Sequence, residues 1–203
     1  MPLKTTLPTT VPSQPDSQPH VLDPQFDLPE WLSNAGQPAW RAKAIYRWLH
    51  ARRAESFLDM TDLPSDLRSQ LQSEVKIWTT KVTRHQVAED GTEKLLLQLH
   101  DKQQIECVLL RDGIRRTVCI SSQVGCAMGC VFCASGLDGV IRNLTTGEII
   151  EQLLRLSRLL PQDERLSHIV VMGMGEPLAN LDRLLPALAV AQNPDGLGIS
   201  QRR

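Results

Sequence analysis

Hydrophobic and polar positions change their spacing along the chain, and each change predicts a different element. Met1 to Pro29 has no apolar period. Pro2, Pro8, Pro12, Pro15, Pro19, Pro24 and Pro29 interrupt a stretch rich in Thr, Ser and Gln, which predicts a disordered tail over 1–29. From Glu30 to Lys76 the spacing is helical. Trp31 and Leu32 begin a short helix that Asn34 to Pro38 interrupts, and Trp40 to Arg52 sets Ile45, Trp48 and Leu49 on one stripe. Asp62 is placed to cap a helix starting near Pro64, with Leu67, Leu71 and Val75 along one face. These segments predict a small helical domain over 30–80.

From Ile77 to Ile120 the period shortens to that of a strand. Lys81–Val87, Glu93–Leu99, Gln104–Leu110 and Arg116–Ile120 alternate or run apolar, with Glu89-Asp90-Gly91 and Arg111-Asp112-Gly113 as turns, so antiparallel hairpins are expected. Ala134 to Asn143 reads as a glycine-containing loop. Thr145-Thr146-Gly147-Glu148 then resembles a capping box that opens a helix to Leu160, with Ile149, Leu153, Leu156 and Leu160 on its apolar stripe. Ser167–Met172 is a continuous apolar run of the kind buried in a parallel sheet, and Asn180–Ala191 forms a further helix ended by Asn193-Pro194-Asp195-Gly196. The class is therefore α/β: helices, then hairpins, then strand-and-helix units.

Composition narrows this only a little. With 203 residues and 41% hydrophobic content, the chain can bury the core of one or two domains. A net charge of −1 supplies no global attraction to nucleic acid, so any such contact needs a local basic surface. Arg41, Lys43, Arg47, Arg52 and Arg53 form one candidate, though a solvated helix face would look the same. No apolar run approaches the ~20 residues of a membrane span and no secretory leader pattern is present, which predicts a cytoplasmic protein.

The cysteines change the picture most. Cys126-x-x-x-Cys130-x-x-Cys133 has a probability of about 0.003 of arising by chance from five cysteines. Gly125 and Gly129 let the backbone curl so that thiolates could converge on a metal centre. Zinc would want a fourth ligand, from a distant His or Cys107, and usually draws its ligands as two separated pairs. Three thiolates better suit a [4Fe-4S] cluster with one open iron. An odd cysteine count in a chain of this length argues against a disulfide framework. Further on, Gly173-Met174-Gly175-Glu176-Pro177 follows the apolar run at a strand's carboxyl end, where α/β folds place ligands; alone, it reads as a plain turn.

Cys126, Cys130 and Cys133, with Phe132 before the last, resemble the signature of radical S-adenosylmethionine (SAM) enzymes. Together with Cys119, Arg142-Asn143-Leu144-Thr145 and Met172 to Leu178, the string is similar to the RlmN and Cfr group of RNA adenosine methyltransferases, and closer to RlmN. That resemblance runs from about Gln37 to Arg203. It implies that Cys126, Cys130 and Cys133 hold the cluster, that Gly175 and Glu176 bind SAM, that Glu106 is the proton acceptor, and that the helical domain over 30–80 is an accessory domain that helps hold RNA. Alternation alone would make Glu106 an outward-facing strand residue. Cys119 matches the cysteine that resolves a protein–RNA crosslink by forming a disulfide with a methyl-carrying cysteine. None of the five cysteines matches that carrier, and a radical SAM partial (β/α)6 barrel would be incomplete over 81–203, so the chain is expected to be truncated. The implied activity is methylation of adenosine C2 in 23S rRNA, and perhaps in tRNA. The implied protein is a monomer taking electrons from a donor such as flavodoxin. C8 methylation in the manner of Cfr, or an inactive metal-containing RNA-binding protein, are the alternatives.

Overall fold

In a computed structural model, residues 18–194 and 196–200 are described. The helical layer comprises α1 (Leu28–Asn34), α2 (Arg41–His50), a 3-10 turn (Phe57–Asp59) and α3 (Ser65–Glu74). The tail expected over 1–29 lies outside the described residues as far as residue 17, but 18–29 is ordered. Val21, Leu22 and Leu28 are buried, Val21 N–H donates to the Lys76 carbonyl at 2.8 Å, and Pro29 sits in the first turn of α1, where its missing N–H has no helical partner to lose. Asp27 caps α1 by accepting from Glu30 N–H at 2.9 Å. Asp62, expected to cap α3, does not. Pro64 precedes that helix, and the Asp62 carboxylate instead accepts from the Trp48 indole at 2.5 Å and pairs with Arg52 at 3.5 Å.

The alternating runs become β1 (Lys81–Val87), β2 (Glu93–Gln98), β3 (Gln104–Asp112) and β4 (Arg115–Cys119), an antiparallel meander. A two-stranded hairpin, β5 (Gln123–Gly125) and β6 (Val140–Asn143), follows; the loop expected to reach Asn143 ends as this second strand. Next come α4 (Thr146–Ser157), β7 (His168–Val170) and α5 (Leu181–Gln192). Sheet order is β1-β2-β3-β4-β7, and β7 lies parallel to β4, so α4 is a crossover helix. The apolar run at 167–172 pairs over only three residues because its far end leaves to form the Gly173 loop.

Helix α4 is the centre of the molecule. The capping box forms as expected: Thr145 Oγ1 accepts from Glu148 N–H at 3.2 Å, and Glu148 accepts from Thr145 N–H at 2.9 Å. Every residue of the helix except Arg155 is buried, polar ones included. Glu151 is fully buried and accepts hydrogen bonds from the N–H and hydroxyl groups of both Thr79 and Thr80, at 2.6 to 2.9 Å. His20 Nδ1 accepts from Leu22 N–H, which leaves its Nε2–H to face the Ile77 carbonyl at 2.8 Å and Glu151 at 3.1 Å. Burial alone would raise the Glu151 pKa, but the hydrogen bonds from His20, Thr79 and Thr80 outweigh it and hold the carboxyl below its ordinary value. Gly147 lies close beside it: a Cβ there would meet His20 Nδ1 at 3.0 Å and press the ring aside.

Arginines complete this seam between helices and sheet. The Arg155 and Arg158 guanidiniums stack on the Trp78 ring at 3.9 and 4.4 Å, and Arg155 donates to the Thr80 carbonyl at 2.6 Å. Arg53, at a left-handed φ of 56°, donates to the carbonyls of Leu160 (2.5 Å), Pro161 (3.0 Å) and Glu164 (2.5 Å). Of the five cations noted on α2 and beyond, Arg53 thus joins layers, and Arg52 packs on Trp48 at 4.2 Å.

Replacing Glu151 by Ala strands five buried or half-buried donor groups and is expected to cost about 3–5 kcal/mol of unfolding free energy, read from urea denaturation. Because the folded-state pKa is depressed, the advantage of the wild type over Glu151→Gln is complete above the unfolded carboxylate pKa. It shrinks as pH falls through the folded value; a pH-independent difference would contradict this account.

Candidate active site

Strands β4 and β7 run parallel, and their carboxyl ends open into two loops that meet. The first carries the cysteines. It is the long connection of the β5–β6 hairpin, so its ends are held together by strand pairing and by Cys126 N–H donating to the Gly139 carbonyl at 3.0 Å. Gly125 has φ 73°, and a Cβ there would fall 2.1 Å from the Gly139 oxygen, so no other residue fits. Cys133 N–H turns back to the Cys130 carbonyl at 3.0 Å, and a cavity of about 340 Å³ is lined by Cys130, Cys133 and the residues around them.

Cys126 and Cys133 are half-buried and Cys130 is exposed; all five cysteines are free. Among the described residues, no group of three His, Cys, Asp or Glu side chains is arranged to hold a single metal ion. A cluster asks something different of its cysteines, each of which binds a different iron at a separate corner. The donor set of three accessible thiols on one glycine-hinged loop fits such a group. Exposed apolar side chains crowd the same loops: Val131, Phe132 and Leu137 on the first, Met172 and Leu178 on the second.

The second loop, Gly173 to Pro177, is bolted to the start of the first. Ser122 N–H donates to the Met174 carbonyl at 2.8 Å, Met174 N–H to Ser121 Oγ at 2.9 Å, and Glu176 N–H to Gln123 Oε1 at 2.8 Å. The approach is so close that a Cβ on Gly173 would meet Ser121 Oγ at 2.7 Å and one on Gly175, at φ 101°, would meet Gln123 Cβ at 2.6 Å. Glu176 is half-buried, and its Oε1 accepts from Leu178 N–H at 3.1 Å, which fixes the carboxylate at the loop's mouth.

Glu106 and Cys119 share one face of the sheet. Cys119 pairs with Val108, two residues from Glu106 on β3, and paired or alternate residues point the same way. The opposite face holds Ile105, Cys107 and Leu109 in the core. Glu106 is therefore the outward-facing residue that alternation predicts, with its carboxylate 3.0 Å from Lys94 Nζ. Its carbonyl accepts from Ser121 Oγ at 2.7 Å, which ties this strand to both loops. Burial pushes the Cys119 thiol up, and a hydrogen bond from Met172 N–H offsets part of that. Cys107, fully enclosed, is pushed much further.

Sequence reasoning does not find the polar residues that assemble this site. Gln152, on buried α4, accepts from Ser121 N–H at 2.8 Å and donates to the Ser121 carbonyl at 3.0 Å. Asn180 donates to the Ser122 and Leu144 carbonyls at 2.7 and 3.0 Å, and Gln123 donates to Asn143 at 2.7 Å. Arg142 makes a bidentate pair with Glu148, both bonds 2.8 Å, and reaches Asp101 at 2.7 Å. These bonds override the cost of its burial and keep it charged.

A cysteine-bearing hairpin loop and a glycine–glutamate loop at the carboxyl ends of parallel strands define a radical SAM fold. A radical SAM methyltransferase from Sphaerobacter thermophilus superposes with a TM-score of 0.84 at 36% identity, covering 91% of this chain and 55% of that one. Residues 23–77 match a family model described as the ribosomal RNA large subunit methyltransferase N-terminal domain. The chain is 61% identical over 185 residues to a probable dual-specificity RNA methyltransferase RlmN of Rhodopirellula baltica, covering 91% of this chain and 50% of the relative. It is 46% identical over 177 residues to that of Geobacillus kaustophilus, covering 87% and 48%. The chain is thus similar to RlmN proteins over most of its own length, and it spans about half the length of these relatives.

After anaerobic reconstitution, Cys126→Ala, Cys130→Ala and Cys133→Ala should each abolish stable iron binding, measured as iron and sulfide per chain, whereas Cys107→Ala should retain it. Cys119 alkylation should titrate above the range of an unperturbed thiol; labelling already complete in that ordinary range would refute the raised value.

Proposed function

We propose that this chain carries the cluster loop, one SAM-facing loop and the base-facing strands of an enzyme that methylates C2 of adenosine in 23S rRNA and in tRNA. The observation that carries this reading is the junction, through Ser121, Ser122 and Gln123, of the loop that bears three thiols with the glycine-lined loop that bears the Glu176 carboxylate. The relatives named as dual-specificity RNA methyltransferases support it.

Cys126, Cys130 and Cys133 would hold a [4Fe-4S] cluster, and Gly175 and Glu176 would receive the amino group of SAM, Glu176 as the anionic acceptor. Bound together, these groups would supply the radical chemistry that an unreactive aromatic carbon requires. Glu106 accepts the C2 proton as the ring regains aromaticity, and nearby Lys94 orients its carboxylate. Cys119 attacks the sulfur of a methyl-carrying cysteine, which none of this chain's five cysteines matches. The carbon–sulfur bond to the base breaks, its electron pair takes up a proton to complete the methyl group, and a disulfide forms. Since burial raises the Cys119 pKa, this step needs its proton removed within the site. A cytoplasmic setting and a flavodoxin-type electron donor accord with the free thiols. Among the described residues, no helix is long and apolar enough to cross a membrane.

Nucleoside mass spectrometry tests the reading, with RNA, SAM and reductant incubated with the reconstituted chain joined to the carrier-cysteine half of a full-length relative. The expected product is 2-methyladenosine; 8-methyladenosine would reassign the position, and iron-loaded protein that never cleaves SAM would overturn it. Glu176→Ala should weaken SAM retention by roughly tenfold, the loss of one charge-assisted contact, with iron content unchanged.

A further inference from the structure

Between the two loops of the site runs a relay of side-chain amides whose direction is set by its ends. At one end Gln123 Oε1 accepts from Glu176 N–H at 2.8 Å. That leaves Gln123 Nε2 to donate, and it does so to Asn143 Oδ1 at 2.7 Å. Asn143 Nδ2 in turn donates to the Ala179 carbonyl at 3.2 Å. A backbone donor at Glu176 and a backbone acceptor at Ala179 admit one orientation of the two amides, because turning either one sets like groups face to face. The relay therefore brackets Glu176 to Ala179 from both sides.

Those four residues are the part of the glycine–glutamate loop that carries the carboxylate. Their internal bonds are two: Ala179 N–H donates to the Glu176 carbonyl and Leu178 N–H to Glu176 Oε1, both at 3.1 Å. The flanks are anchored separately, Met174 by Ser121 and Ser122, and Asn180 by donating to the carbonyls of Ser122 and Leu144. Between these anchors, among the described residues, the hydrogen bonds that reach the turn from outside are those of Gln123 and Asn143. Both amides also belong to the cysteine hairpin. Gln123 opens β5, Asn143 ends β6, and the two are partners in the strand register. Gln123 is buried so closely under Gly175 that a Cβ on that glycine would meet its Cγ at 2.8 Å, which confines the side chain beneath the loop. A slip of the hairpin by one residue would turn one amide to the opposite face and cut the relay.

We propose that Gln123 and Asn143 are positioning residues for SAM, which hold the Glu176 carboxylate in its binding orientation as long as the cysteine hairpin is paired. This rests on the SAM role of Glu176 given above and adds what sets that carboxylate. Cys126, Cys130 and Cys133 lie on the connection between β5 and β6, so ligating a cluster ties down that connection and with it the register on which the relay depends. The SAM-facing turn is thus held most firmly once the cluster is in place, and the cofactor is received second.

Amide hydrogen exchange and SAM retention, measured on the whole chain before and after anaerobic cluster loading, test it. In the wild type, loading should slow exchange at the Glu176, Leu178 and Ala179 amides. Asn143→Ala removes the exposed member of the pair; it should abolish that slowing and weaken SAM retention roughly tenfold, with iron and sulfide per chain unchanged. Amides of α4 should keep their wild-type rates, which separates a local loss from unfolding. Gln123→Met keeps the buried volume and removes both side-chain bonds, and joining it to Asn143→Ala should lose no more than Gln123→Met alone, since one relay is cut once. Losses that multiply to about a hundredfold in the double variant would mean two independent contacts and overturn the relay. If Gln123→Met does not fold, Asn143→Ala alone decides. Wild-type exchange and retention in Asn143→Ala, beside lost retention in Glu176→Ala, would overturn the positioning role and leave the SAM reading intact, as would exchange at 176–179 that ignores cluster loading. Wild-type protein that holds iron but retains no SAM would overturn both.

Discussion

The site hangs on one serine and the amide that holds it. Gln152 reads both the N–H and the carbonyl of Ser121, so that residue's backbone is fixed as firmly as if it lay in a strand, although it sits in a turn between β4 and β5. Its hydroxyl is then free to accept from Met174 and donate to the Glu106 carbonyl. Three segments distant in sequence, strand β3, the cysteine hairpin and the glycine–glutamate loop, therefore meet at one buried atom. A polar group so enclosed is strongly penalised unless every bond is made, and this all-or-none condition gives the junction its rigidity.

The same helix that supplies Gln152 supplies Glu151, and the two neighbours point to different tasks. Gln152 sets the loops at one side, while Glu151 closes on Thr79, Thr80 and His20 at the entry from the helical layer. With the Trp78 sandwich of Arg155 and Arg158, that contact makes the helical layer and the sheet share a seam rather than a tether. The core accordingly runs without a break from Leu28 through Phe57 to Leu97 and Ile149. A rigid seam holds the helical layer at a defined distance from the cysteine loop.

Much of this was legible in the chain because it is local. The period-two runs became the meander, Thr145 and Glu148 capped their helix, and the glycines at 125 and 175 occupy positive φ where a Cβ has no room. What escaped depends on partners far away in sequence. Seven prolines make 1–29 read as a tail, yet Val21 and Leu28 find the core and Lys76 offers a backbone partner. Asp62 has the sequence position of a cap, but the indole N–H of half-buried Trp48 competed for it. Pro186 lies inside α5 without ending it. Gln152 and Asn180 look like surface residues of amphipathic helices; only when α4 is seen to be covered on all sides do they become structural amides.

Thiol chemistry shows why placement matters more than count. Five identical side chains occupy distinct electrostatic settings: Cys107 is sealed in the core with its ionisation suppressed, Cys119 is half-buried with one amide dipole to assist it, and Cys126, Cys130 and Cys133 stand on a loop open to solvent. A thiol that is to ligate iron has to be reachable, which the loop provides. Burial on the sheet face instead holds the Cys119 thiol protonated into the range where an ordinary thiol ionises. The division follows strand alternation: moving the β3–β4 register by one residue would exchange the two faces, turning Glu106 into the core and Cys107 outward.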